Sequence, residues 1–197
     1  MTIGILHKVE VSIVRIPEGI SKWDLVNRYM RLRKEVFIDR MAWPLYQLEE
    51  IEFEQYDTVH SVYVIAHSGN EVFGGARLLQ TSKSVGVGRY VYSYMIRDAC
   101  RNLLPGLPSD LCDDLPPTDP QIWELTRFAT LKSAGVGALI LNATNGFLKT
   151  EQATHCLFLA QPSLMRMASR MGFRPEPLGG LKRNEDGKFL AFRCSVI

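Results

Sequence analysis

The 197-residue chain is 46% hydrophobic and 22% charged, with three Trp, nine Phe and seven Tyr. That balance excludes a disordered or low-complexity chain and fits a single domain, 1–197, with its own core. A net charge of +2 is too small to argue for a nucleic-acid or membrane-surface partner, and no run approaches the ~20 apolar residues that span a bilayer.

The opening MTIGILHKVEVSIVRI alternates like a strand and carries Glu10, unlike a signal peptide, so a cytoplasmic protein is expected. A first strand is predicted over 11–15. From Ser21 the pattern turns helical: Ser21 can cap, Asp24 follows three residues on, and Leu25, Tyr29, Leu32 and Val36 share helical spacing. Pro44 marks a stop, and the acidic stretch 49–57 reads as a loop. SVYVIAH (61–67) and EVFGGARLLQT (71–81), joined by Ser68-Gly69-Asn70, predict a hairpin. Residues 105–120 hold five of the ten prolines and four aspartates, which predicts a long surface loop or lid.

A strand over 122–131, a glycine turn and a helix over 137–150 come next. HCLFLA (155–160) reads as a buried strand, the segment from Pro162 as an amphipathic helix closed by Gly172, and 188–196 as a last strand. Cys100, Cys112, Cys156 and Cys194 lack metal-type spacing and are expected as reduced, mostly buried thiols, with no metal site. The element order predicts an α/β (α+β) three-layer sandwich, with a central, mostly antiparallel twisted sheet flanked by helices.

Between the 122–131 strand and its helix lies Lys132-Ser133-Ala134-Gly135-Val136-Gly137-Ala138. Glycines let backbone N–H groups approach an anion, and a helix N-terminus adds partial positive charge. The segment resembles the pyrophosphate loop of the GNAT acyltransferases, R/Q-x-x-G-x-G/A, with Lys132 first and Gly135 and Gly137 as its glycines. That resemblance implies a GNAT-like fold and a site for the diphosphate of coenzyme A. Plain turn glycines are the other reading, and the spacing is not that of a Walker A loop.

Polar residues gather where a bland core would not want them. Arg33 and Phe37 lie four apart on one helical face, Trp43 follows, Glu54 and Asp57 sit in EFEQYD, and Arg77 interrupts GGARLL. Glu124 and Arg127 complete three acids and three arginines that would balance in a partly buried network. Singly, each has an ordinary reading: a water-facing arginine, core aromatics, solvated loop acids. Residues 124 and 127 face opposite sides of a regular strand unless a bulge intervenes.

Jointly, R33-KEV-F37-IDRMA-W43, E54-QY-D57, R77 and E124-LT-R127-F128 resemble the acyl-homoserine-lactone synthases (autoinducer synthases) of bacterial quorum sensing, over about residues 23–175. Glu54 lies eleven positions after Trp43, and Arg77 twenty positions after Asp57, as in that family. Glu54 departs from the usual Asp, keeping the charge on a longer side chain.

The resemblance implies an acyltransferase without metal or prosthetic group. The α-amine of S-adenosylmethionine attacks an acyl thioester, and the methionyl carboxylate then closes a lactone, expelling methylthioadenosine. A free α-amine has a pKa of about 7.7–8.0, so a modest base suffices. Glu124 is the candidate base, with a structural ion pair as its other reading. Arg33, Phe37 and Trp43 would enclose S-adenosylmethionine. Asp57 and Glu54 would position the arginines or hold the ammonium, while Arg77 and Arg127 organise the acids.

For the acyl donor, the family uses acyl carrier protein or acyl-coenzyme A. Arg166, Arg170, Arg174, Lys182 and Arg183 form a basic set that would suit either, or is simply solvated. The 132–138 turn tips the balance toward acyl-coenzyme A. An acyl pocket is expected near Leu157, Leu159, Gln161 and Met165. The alternatives are a GNAT-type N-acyltransferase acting on another amine, and an inactive acyl-thioester or nucleoside sensor.

Overall fold

The structure is a computed structural model, and it describes residues 9–131, 135–184 and 187–197. Strand β1 (Glu10–Arg15) passes through a 3-10 turn (Ile20–Lys22) into helix α1 (Trp23–Arg33), which continues as a π-helical stretch over Lys34–Arg40. A small hairpin, β2 (Gln47–Leu48) with β3 (Ile51–Glu52), precedes β4 (Val62–Ser68) and β5 (Glu71–Gln80). A second small hairpin, β6 (Val85–Val87) with β7 (Tyr90–Tyr92), leads to the short helix α2 (Met95–Cys100). Then come β8 (Ile122–Thr130), α3 (Val136–Thr150), β9 (His155–Ala160) and α4 (Pro162–Arg170). The last elements are β10 (Pro175–Pro177), β11 (Lys182–Asn184) and β12 (Gly187–Ser195).

The main sheet runs β1-β4-β5-β8-β9-β12-β10, with β11 also paired to β12. Its neighbours are antiparallel except β8 and β9, which run parallel because α3 carries the chain back across the sheet. On one face, alternate strand residues such as Val64, Leu78, Leu125, Phe158 and Phe192 pack against Val136, Ile140, Leu141 and Leu148 of α3 and Leu164 and Ala168 of α4. On the other face, one cluster gathers Val14, Tyr63 and Ile65 with Val26, Tyr29 and Met30 of α1. A second holds Leu79, Leu157 and Ala191 with Ile96 and Ala99 of α2 and Leu111. This is the expected sandwich.

Local chemistry explains most elements. The Ser68-Gly69-Asn70 hairpin forms, with Gly69 at φ +55°. A Cβ on Gly75 would stand 2.8 Å from the Tyr29 ring and from the Val64 carbonyl oxygen, so the glycine lets α1 press onto β5. Three expectations are corrected. Ser21 does not cap α1: it lies in the 3-10 turn, and Lys22 at the N-cap makes no side-chain capping bond. The α-helix ends at Arg33, so Val36 belongs to the π-helical stretch. The 49–57 segment is not all loop, since it contains β3, whose Glu52 is fully buried. No helix among the described residues is long and apolar enough to cross a membrane.

Candidate active site

Between the two clusters on the α1–α2 face lies a buried block of charge. Arg33, at the end of α1, sends Nη1 and Nη2 to the two carboxylate oxygens of Asp57 at 2.8 Å each, and Nε to Glu52 Oε2 at 2.5 Å. Arg77, in the middle of β5, donates Nη2 to Glu54 Oε1 at 2.5 Å and Nε to Thr126 Oγ1 at 3.1 Å. Its Nη1 stands 3.0 Å from Asp57 Oδ1 without hydrogen-bond alignment, leaving that buried donor unsatisfied. Arg127 reaches Glu52 Oε1 at 3.1 Å and Glu54 Oε2 at 3.2 Å. The Tyr63 hydroxyl donates to Asp57 at 3.0 Å.

Three cations thus meet three anions, in chains of bidentate and shared contacts that suit the fixed fork of arginine. Arg33 and Arg77 are fully buried. Burial alone would lower their pKa values, but Asp57 with Glu52 (for Arg33) and with Glu54 (for Arg77) raise them instead. Burial would raise Asp57, yet Arg77 and Arg33 hold it well below the usual carboxylate range. Glu54 is lowered in the same way, with Arg77 and Arg127 overcoming its burial.

A bulge brings Arg127 into this block. Along β5 and β8, Arg77 pairs with Thr126 but Gly75 with Ala129, so β8 carries an extra residue there. Arg127 takes φ +52°, in the left-handed region, and the Tyr29 hydroxyl holds its carbonyl. The extra residue turns Arg127 toward the face that Glu124 and Thr126 already occupy. Glu124 nonetheless does not join the ion pairs among the described residues. Its two oxygens accept from the first backbone amides of α2, Met95 N–H at 2.9 Å and Ile96 N–H at 2.7 Å. Burial pushes its pKa up to about 7, against the lowering effect of those two bonds and of Arg77.

Beside the block, the π-helical stretch places Phe37, and the Phe37 and Trp43 rings stack with centroids 5.1 Å apart. The Arg127 guanidinium lies over Phe37 at 5.8 Å. The result is an aromatic wall next to a charge cluster and a carboxyl that titrates near neutrality.

Residues 20–148, more than half the chain, match the autoinducer synthase family. The chain belongs to that family. It is 30% identical over 115 residues to an acyl-homoserine-lactone synthase of Pseudomonas aeruginosa, covering 57% of this chain and 48% of that one. With its counterpart in Ralstonia solanacearum it shares 34% over 123 residues, 61% of this chain and 50% of that one. The matches therefore span about half the length of these two relatives. In fold it resembles BjaI, a coenzyme A-dependent acyl-homoserine lactone synthase solved with S-adenosylmethionine and isopentyl-CoA. The TM-score is 0.77 at 22% identity, over 96% of this chain and 84% of that one.

Within this member of the family, Glu52 is the ion-block residue that sequence reasoning passed over. It balances Arg33 and Arg127 in the place expected for Glu124. A signal for it exists: Glu52 and Glu54 are two apart in an extended segment, where alternate side chains share a side. Arg77 is not a water-facing arginine, since β5 lies inside the sheet between β4 and β8.

The expected acyl-pocket group is divided by the sheet. Leu157 and Leu159 face the α2 side, whereas Met165 packs on the α3–α4 side. Of the phosphate-loop residues, Lys132 lies outside the described residues. Gly135 caps α3 at φ +86° and is exposed, and Gly137 is in the first turn beside Phe128 and Met167. In the basic set, Arg166, Arg170, Arg174 and Arg183 are exposed, while Lys182 pairs with Asp110 at 2.7 Å.

Proposed function

We propose that this autoinducer synthase makes an N-acyl-homoserine lactone, transferring an acyl group from a thioester to the amine of S-adenosylmethionine. What carries the reading is one juxtaposition within a chain of this family: the Arg33–Arg77–Arg127 carboxylate block, with Glu124 raised to about 7 beside it. Near neutral pH such a carboxylate is partly ionised and can take a proton from the substrate ammonium, directly or through one water. The freed amine attacks the thioester carbonyl, the C–S bond breaks, and the thiol leaves with a proton.

The methionyl carboxylate then attacks its own γ-carbon. A C–O bond forms as the C–S⁺ bond breaks, and methylthioadenosine departs neutral. This step needs a held conformer more than a proton transfer. Phe37 and Trp43 would face the sulfonium. The β8–β9 pairing covers only Ile122–Leu125 and His155–Phe158. Beyond it, β8 keeps its pairing to β5 alone, and N–H groups on its other edge would serve the thioester oxygen.

For the donor, the reading favours acyl-coenzyme A. The left-handed Gly135 ahead of a 15-residue helix suits a diphosphate, and BjaI is coenzyme A-dependent. The test mixes the protein with S-adenosylmethionine and short, branched and aromatic acyl-coenzyme A thioesters, following thiol and methylthioadenosine together. Equal release of both is expected with one donor. Activity only with acyl carrier protein would overturn the donor assignment, and thiol release without methylthioadenosine would point to an N-acyltransferase acting on another amine.

A further inference from the structure

Helix α2 carries a second buried acid, Asp98, which none of the roles above uses. It is fully buried. Its Oδ2 accepts from the Tyr56 hydroxyl at 3.0 Å and the Ser93 N–H at 2.7 Å, and its Oδ1 from the Ser93 hydroxyl at 2.8 Å. The nearby cation, Arg101, is 40% exposed and 3.3 Å away, so it offsets little of the desolvation of a buried carboxylate.

Those contacts join three parts of the site. Ser93 is where the chain enters α2, just ahead of the Met95 and Ile96 amides that hold Glu124. Tyr56 sits between Glu54 and Asp57, and the Arg77 guanidinium lies over its ring at 5.6 Å. Met95 also contacts Arg127, whose Nη1 is 4.0 Å from its sulfur.

We propose that Asp98 is a positioning residue for Glu124: it locks the first turn of α2 onto the 54–57 segment, so that two backbone amides meet the Glu124 carboxylate in register with the arginine block. Its kinetic consequence rests on the reading of Glu124 as base, whereas the positioning itself does not. Several groups around Glu124 sense its charge: Arg77 from β5, Asp98 from α2, the Tyr56 and Tyr94 hydroxyls, and the Cys112 and Cys156 thiols. Burial is the largest influence on Glu124; among the charges, Arg77 lowers its pKa and Asp98 raises it.

The test is a side-chain carboxyl and backbone-amide NMR titration of the wild type, Asp98→Asn, Asp98→Ala and Tyr56→Phe. In the wild type, the Met95 and Ile96 amide shifts should follow the Glu124 carboxyl through its midpoint. Asp98→Asn, nearly isosteric, should keep that coupling while the midpoint moves to lower pH, because a negative neighbour is gone. Asp98→Ala should break the coupling. Its kcat should fall about a hundredfold, as expected for a misplacement of ~1 Å, with KM for S-adenosylmethionine kept within about twofold. Tyr56→Phe should move the same way by less.

Amides that still track an unmoved Glu124 in both Asp98 variants would overturn the proposal, whatever happens to the melting temperature. Should Asp98→Ala not fold, the Asn and Phe variants make the same comparison. A wild type without synthase turnover would sink the proposed function, while the titration would still decide the role of Asp98.

Discussion

The two faces of the sheet are built on opposite principles. On the α3–α4 face one apolar cluster runs across β4, β5, β8, β9 and β12. Stability there comes from area removed from water, and its stacked Phe158 and Phe192 rings carry no chemistry. On the α1–α2 face the apolar surface is parted into two clusters, and six charged side chains of the ion block fill the gap. Hydrophobic residues of similar volume would hold that gap at least as firmly. What they could not supply is a set of donors and acceptors already oriented before a substrate arrives. One face is therefore optimised for folding, and the other accepts a desolvation cost for the sake of a site.

The largest effect that would separate the faces is on turnover. Glu124→Gln should lower kcat by at least ~10²-fold, while urea unfolding at pH 8 stays within about 1 kcal/mol of the wild type. The sign follows from linkage. The folded pKa of Glu124, about 7, lies above its ordinary value of 4.5, so the folded state binds the proton more tightly in that window. Stability from this group is lost as pH rises through it, and the Gln variant escapes that loss. Near-wild-type turnover would remove Glu124 from the mechanism.

Stability itself should break differently on the two faces. Arg77→Ala and Phe192→Ala should each cost about 3–5 kcal/mol, the first by stranding Glu54 and Asp57, the second by opening a cavity. Only the first should depend on pH. Glu54 and Asp57 have lowered pKa values, so their stabilisation is present above the ordinary carboxylate range and fades as pH falls through their folded values. Urea midpoints from pH 2 to 7 should show the Arg77→Ala deficit shrinking toward acid and the Phe192→Ala deficit constant. Parallel deficits would mean that the block behaves as mere packing.

Smaller effects sharpen the picture. For the wild type, kcat/KM should rise about tenfold per pH unit below a limb near the Glu124 value of about 7; a flat profile from pH 6 to 8 would oppose its role as base. Trp43→Ala should weaken S-adenosylmethionine binding about tenfold, roughly the upper range of one cation–aromatic contact, and Trp43→Phe should restore most of it in calorimetry. Smallest is Gly135→Ala. Its φ of +86° makes a Cβ cost about 1 kcal/mol, and KM should rise for acyl-coenzyme A only. An equal rise for acyl carrier protein would detach the turn from phosphate binding.

The sequence was most legible where one physical signal dominated. Alternation and turn glycines located β4, β5, β9 and β12, and helical spacing located α3 and α4 within a residue or two of their ends. It was least legible over 85–100. There, two three-residue strands and a six-residue helix are too short for any period to register. The Ser21 cap failed because a 3-10 turn intervened before the helix began, a choice made by how β1 delivers the chain to α1.

By itself, the sequence determined most of the inventory: the longer strands and helices, and that Arg33, Phe37, Trp43, Glu54, Asp57, Arg77, Glu124 and Arg127 stand at the spacing of one family. Only the tertiary structure decided who pairs with whom. Glu52 took Arg127 across 75 residues of chain, a bulge aimed that arginine, and α2 claimed Glu124. Pairing of buried charges depends on sub-ångström placement by separate elements in a low dielectric, where the best-matched partner excludes the rest. No spacing along the chain encodes that competition.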